Sequence, residues 1–189
     1  MPRIVETIVT TTDAAGEAHI APLGLIEDGA HWIIAPFKPS KTLDNLRANP
    51  AATASHTDDV RVFAGCVTGR KDWPLVKAKK VAGARLAACV SHWELKVERV
   101  IEDEIRPRFI CSIAHQDAHA VWEGFNRAQA AVLELAVLTT RLKMLPPEKI
   151  EGELKYLEIA ISKTAGAREI EAWGWLMDKI NAWRDVAAR

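Results

Sequence analysis

Residues Trp32-Ile33-Ile34-Ala35-Pro36-Phe37-Lys38-Pro39-Ser40-Lys41-Thr42-Leu43-Asp44-Asn45-Leu46 decide how the first half of this chain is read. The apolar run Trp32 to Ala35 reads as a strand. Pro36 and Pro39 then stop any helix or central strand. Ser40 is a good N-cap for a short helix, roughly Lys41 to Ala48, which Asn49-Pro50 ends. A helix N-terminus presents backbone N–H groups and the positive end of its dipole. With Lys38, Lys41 and the hydroxyls of Ser40 and Thr42 beside it, this turn has the donors for a phosphate. The same residues also read as a surface turn before an ordinary capped helix, with two solvated lysines.

Working outward, Arg3 to Thr12 alternates and is rich in Ile, Val and Thr, which predicts a strand. Asp13 to Glu17 reads as a hairpin turn, Ala18 to Ile26 as a second strand, and Glu27-Asp28-Gly29 as a second tight turn before a third strand, Ala30 to Ala35. Ala51 to Thr57 predicts a fourth. Val60 to Val67 reads as a short helix or an irregular piece, and Thr68 to Pro74 as a loop. Leu86 to Glu104 predicts one long or two shorter strands. Arg106 to His115 adds another, with Phe109, Cys111 and Ile113 on one face. About six strands, mostly antiparallel, suit a small barrel. From Asp117 to Leu145 the composition turns to helix formers. Helices are predicted over Glu148 to Ile161 and, capped by Thr164, over Ala165 to Ala187, where Trp173, Leu176, Met177, Ile180 and Trp183 share a face. Strands followed by helices mean α+β. The expected division is a barrel over residues 1–116 and a helical subdomain over 117–189.

Composition narrows the function. The chain has 189 residues, and its 25 Lys and Arg balance 25 Asp and Glu. No global field draws it to nucleic acid or to a membrane surface. No apolar run reaches the length of a span or of a signal peptide core, so a cytoplasmic protein is expected. Cys66, Cys89 and Cys111 are odd in number and sit in apolar contexts, which fits buried reduced thiols. There is no Gly-x-Ser-x-Gly, and Cys66 alone stands near turn signals. His115 and His119 are four apart, a spacing that suits one helix face. Asp117 lies on another face and no third ligand is evident, so no metal is expected. Arg127, Glu134 and Arg141 recur every seven residues, either as a solvated stripe or as a buried ion-pair ladder. Ser55-His56-Thr57-Asp58-Asp59 puts polar groups at a strand end, and Ala21-Pro22-Leu23-Gly24 interrupts the second strand, as at an edge, a bulge or a flat ligand.

Taken in order, these segments resemble the DUF447 family, within the FMN-binding split β-barrel superfamily of flavin-reductase-like and pyridoxamine-phosphate-oxidase-like proteins. The resemblance is carried by Ala21 to Gly24, Ser40 to Leu46, Thr57-Asp58-Asp59-Val60 with Phe63, Phe125-Asn126-Arg127-Ala128, Thr140-Arg141-Leu142 and Lys163-Thr164-Ala165-Gly166. It implies a six-stranded split barrel followed by helices, a homodimer, and FMN near the subunit interface. By carry-over, Ser40, Lys41, Thr42 and Asn45 would surround the phosphate, beside the Lys38 already read as a donor of that turn, and Pro22, Leu23 and Gly24 would lie along the ring. Ser55 stands where relatives often carry asparagine, and His56 beside it is the candidate proton-handling group. The implied function is a flavin-dependent oxidoreductase acting on a small molecule. The alternative is a non-catalytic flavin-binding or dimeric scaffold protein, which relatives in methanogens and methylotrophs would connect with pterin-dependent one-carbon metabolism.

Overall fold

The structure is a computed structural model that describes residues 1–187. Its strands are β1 (Ile4–Thr12), β2 (Ala18–Asp28), β3 (His31–Ile34), β4 (Ala51–His56), β5 (Leu75–Lys77), β6 (Ala84–Leu86), β7 (Ser91–Ile101) and β8 (Arg108–Ala118). Its helices are α1 (Lys41–Ala48), α2 (Arg61–Thr68), α3 (Arg127–Thr139), α4 (Pro147–Thr164) and α5 (Ala167–Ala187). The chain folds as two compact units. One comprises Met1–Thr57 and Trp73–Trp122; the other comprises Asp58–Asp72 and the residues from Glu123 onward. A single cut between 116 and 117 does not describe this packing, because α2 joins the helices and β8 runs on to Ala118.

The first unit is the expected antiparallel barrel. Six strands close in the order β1-β2-β3-β8-β7-β4, and β5 and β6 form a separate two-stranded ribbon. Alternation builds its interior: Val9, Leu25, Trp32, Ile34, Ala52, Ala54, Leu95, Phe109 and Cys111 meet inside. Phe109, Cys111 and Ile113 share the inner face, as their spacing predicts. Leu43 and Leu46 of α1 join this core, so α1 packs its apolar face onto the barrel. That helix begins at Ser40 and ends where Asn49 N–H donates to Asn45 O at 2.7 Å.

β1 is buried on both faces from Thr7 to Thr12. Its outer face and that of β4 lie under the 82–86 segment. Thr53 Oγ1 donates to Ala84 O at 2.7 Å, Leu86 N–H donates to Ser55 Oγ at 3.2 Å, and β6 packs against β1 as well as β4.

The helical unit has its own core. Val132 and Leu135 of α3, Ile150, Leu154 and Leu157 of α4, and Leu176 and Ile180 of α5 pack together with Val60 and Ala64. Trp173, Met177 and Trp183 pack on the same cluster, so the predicted α5 face is the buried one. The start of α5 is a correction. Thr164 belongs to α4, where its Oγ1 donates to Ala160 O at 2.8 Å, and Glu169 takes the Gly166 N–H at 2.9 Å instead. Residues 119–126 are a second correction. Despite their neighbours' helix propensity they are irregular, with Gly124 at φ +114° and Asn126 capping α3 through Ala128 N–H at 2.7 Å. Among the described residues no helix is long and apolar enough to cross a membrane.

Two substitutions test this packing. Leu95→Ala removes a side chain with no exposed surface and should cost the barrel about 2–5 kcal/mol in denaturant unfolding. Gly152, inside α4, has nothing within 4 Å of a built Cβ and no positive φ, so Gly152→Ala should stabilise the helical unit by about 0.5–1 kcal/mol in the same measurement.

Candidate functional site

At the start of α1, Ser40 is extended (φ −159°, ψ 148°) and its Oγ accepts the Leu43 N–H at 3.3 Å. Lys41 Nζ pairs with Asp13 Oδ2 at 3.0 Å. That hydrogen bond, then the Glu17 N–H, holds the Asp13 carboxyl below its usual range. Thr42 and Asn45 point into the protein and are buried. Asn45 Nδ2 donates to Thr11 Oγ1 at 3.1 Å, whereas Asn45 Oδ1 is buried without a partner. Lys38 is drawn elsewhere: its Nζ donates to Asp103 O at 2.6 Å and lies 3.7 Å from Glu102. The two lysines of this turn are therefore engaged by different loops. Asp13 also lines a cleft of about 580 Å³ with Thr12, Gly16, Asn49, Lys77 and Gly83, none of them a candidate site residue from the sequence.

The Pro22–Gly24 stretch proves continuous with β2, and no bulge interrupts its pairing with β1. On its β2 side, strand β3 pairs with Ile26 to Asp28, which among the described residues leaves residues 18–25 of β2 with β1 as their strand partner and the other side an open edge. A proline is tolerated there because its missing N–H removes no ladder bond. Leu23 packs against the barrel core, and its carbonyl accepts Thr7 Oγ1 at 3.0 Å. Gly24 has a local reason: a Cβ would lie 2.6 Å from Ile4 Cγ2 and 3.1 Å from Glu6 Oε1.

Ser55 and His56 alternate to opposite faces of β4. Ser55 is fully buried beneath β6 by the bond from Leu86 N–H. His56 packs edge-on to Trp93 with ring centroids 4.5 Å apart, and its Nδ1 lies 3.3 Å from Ser91 Oγ. Its Nε2 is buried without a partner, and burial lowers its pKa from the ordinary histidine value. The structure thus gathers Ser40, Lys41, Thr42 and Asn45 at the start of α1 and keeps Pro22, Leu23 and Gly24 together on β2. Asn45's partner Thr11 and Pro22's partner Ile8 are three residues apart on β1, a distance of about 10 Å along a strand. Ile8 pairs with Ser55 as well as with Pro22, so Ser55 lies one strand beyond the β2 group, covered by β6, while His56 turns to the opposite face of β4 against Trp93.

A second constellation lies on β7 and β8. His92 and Glu94 alternate onto one face of β7, and the register sets Glu94 opposite His115. His92 and Glu94 are buried. His92 Nε2 is 3.3 Å from Glu94 Oε1, and His92 Nδ1 is 2.9 Å from His119 Nε2. The Glu94 carboxylate accepts three backbone N–H groups, from Lys79 at 2.6 Å, Lys80 at 2.5 Å and Val81 at 3.0 Å. Burial opposes its charge, but these bonds outweigh it and hold its pKa below the usual value. His115 Nε2 is buried and has no partner. The sequence shows His115 and His119 but not their companions, because His92 reaches them only through the β7–β8 register. The pair sits on and just beyond a strand, not on a helix.

Other candidates fall away. Arg127, Glu134 and Arg141 are exposed, so the stripe is a solvated face. All three cysteines are buried and free. Burial pushes the Cys66 thiol up to about 11 and Cys111 up to about 12, and raises Cys89, which disfavours the nucleophilic thiolate.

Comparison with known proteins agrees with this architecture. Among curated proteins none matches the chain in sequence. The structure of FMN-bound protein MM1853 from Methanosarcina mazei superposes with a TM-score of 0.80 at 19% identity, covering 95% of this chain and 96% of that one. Flavoredoxin from Methanosarcina acetivorans gives 0.52 at 16% identity, covering 63% and 69%. Nitrilotriacetate monooxygenase component B from Bacillus cereus gives 0.53 at 14% identity, covering 69% and 78%. These likenesses establish the fold. The family described as protein of unknown function (DUF447) matches residues 5–120 with its N-terminal domain and residues 126–178 with its second segment. On that nearly full-length match, the chain belongs to the DUF447 family.

Proposed function

We propose that the barrel unit binds FMN and that the protein is a flavin-dependent oxidoreductase of a small molecule. One observation carries this reading. A member of the same family, alike in fold over 95% of this chain, was crystallised as an FMN-bound protein. The residues here fit the group. The first turn of α1 offers a dipole end and Lys41, whose present partner Asp13 is a carboxylate that a phosphate could replace. Asn45 Oδ1 beside it is a buried acceptor still lacking a donor, such as a ribityl hydroxyl. The open edge of β2 at Pro22, Leu23 and Gly24 supplies a flat flank for a ring. Ser55 and His56 are left out of this reading, the first covered by β6 and the second turned against Trp93.

FMN, when bound, supplies hydride and single-electron transfer, and the protein supplies position and charge. Lys41 and the α1 terminus would neutralise the phosphate. A homodimer belongs to the same reading, and the exposed Val100, Ile101 and Ile105 of the barrel unit give it apolar surface.

The test is titration of the full-length protein with FMN and, separately, with riboflavin, which lacks the phosphate. One equivalent of FMN should bind more tightly than riboflavin. Lys41→Ala should weaken FMN about tenfold to a hundredfold and leave riboflavin nearly unchanged, as expected for loss of a charge-assisted bond. Absence of saturable FMN binding sinks the proposal. Anaerobic reduction of the bound flavin by a nicotinamide donor, faster than that of free FMN, supports the oxidoreductase. An equal rate leaves a flavin-binding protein without that activity.

A further inference from the structure

We propose that His92, Glu94 and His115 form a site for a divalent transition cation of the zinc class. The three offer one ligand atom each, and these atoms all lie within 4.8 Å of one another. The His92 Nε2 to Glu94 Oε1 separation is 3.3 Å. A tetrahedral ion with bonds near 2.0–2.1 Å sets its ligands about 3.3–3.4 Å apart, so that edge already has the required span. Rotation of the half-buried His115 ring closes the others. The register between β7 and β8 shifts directly after the Glu94–His115 pair, a local bulge of the kind that re-aims side chains.

Three further features point to a cation rather than to ordinary packing. First, His115 Nε2 is buried with no hydrogen-bond partner, which is unfavourable unless something occupies its lone pair or takes its proton. Second, the backbone N–H groups of Lys79, Lys80 and Val81 fix the Glu94 carboxylate, and only Oε1 is turned toward His92. Such outer contacts orient a ligand and keep it anionic. Third, if His92 Nε2 binds the ion, its Nδ1 keeps the proton and donates to His119 Nε2 at 2.9 Å. A ligating histidine usually has a partner of this kind. Lys79, whose N–H serves Glu94, has its ammonium paired with Asp117 at 2.5 Å, so its charge is already answered.

Two imidazoles and one carboxylate suit Zn²⁺, or Co²⁺ as its spectroscopic substitute, and leave a fourth position for water. The ion would also fasten the 79–81 segment to β7 through Glu94. No residue here belongs to the proposed flavin seat, so the two readings stand or fall separately.

The experiment uses the full-length protein after chelator treatment and dialysis. Titration with Co²⁺ is followed by the visible d–d bands, and competition with Zn²⁺ gives the affinity. One equivalent should bind with intense tetrahedral bands that Zn²⁺ abolishes. His115→Ala, a change at a half-exposed strand position, should keep the native circular dichroism and lower Zn²⁺ affinity by more than roughly 100-fold. His119→Ala should lower it about 10–100-fold, as for loss of an orienting partner. No saturable Co²⁺ uptake, or uptake unchanged in folded His115→Ala, overturns the proposal.

Discussion

The structure of the barrel unit depends on covering the outer face of β1 and β4. A barrel strand needs only its inner face buried, yet β1 is buried on both from Thr7 to Thr12. The cover is residues 82–86, continued over β7 by 79–81, and outward-pointing polar side chains hold it by hydrogen bonds. Thr53 and Ser55 of β4 engage Ala84 and Leu86, while Glu94 of β7 takes three consecutive N–H groups at 79–81. Each of these bonds satisfies a polar group that the cover itself desolvates. Glu94 is the costliest to bury, so its three donors are the most demanding part of the arrangement. The same cover removes Ser55 from any ligand surface and creates the enclosed pocket of polarity in which His92 lies.

A second constraint on the barrel unit is α1. Its Leu43 and Leu46 pack into the core, which fixes the helix axis and hence the place of its N-terminus. Ser40 satisfies the Leu43 N–H and Asp13 neutralises Lys41, so the turn is stable without a ligand. An anion arriving there gains charge attraction only by displacing Asp13, an exchange of one carboxylate partner for another. A phosphate held there would add selectivity more than fold stability.

Much of this was legible because it is local. Alternation marks β1, flanking turns mark β2, an apolar run marks β3, the Ser40 cap and Asn49-Pro50 bound α1, and a 3.6-residue period marks the buried face of α5. What the sequence hides is what pairing decides. β5 and β6 are three residues each, too short for a period. Residues 117–118 sit where composition favours helix, yet β7 offers them ladder partners, and tertiary pairing overrides propensity. The grouping of α2 with the helices has no local signal either. Its apolar Val60 and Ala64 would suit any core, and only the fold assigns them to this one.

The His115–His119 pair shows why spacing alone cannot judge a ligand site. Four residues bring two side chains to one face of a helix, and four residues also do so along a strand, where the period is two. Absence of a third ligand nearby in sequence excludes a local site but not one built across strands. The missing members, His92 and Glu94, lie 23 and 21 residues upstream of His115 and reach it through antiparallel register. Because Glu94 also grips residues 79–81, its loss would disturb the fold as well as any ligand set. His115 has no such second duty: its orphaned nitrogen makes it the member of the group whose surroundings are best explained by something it binds.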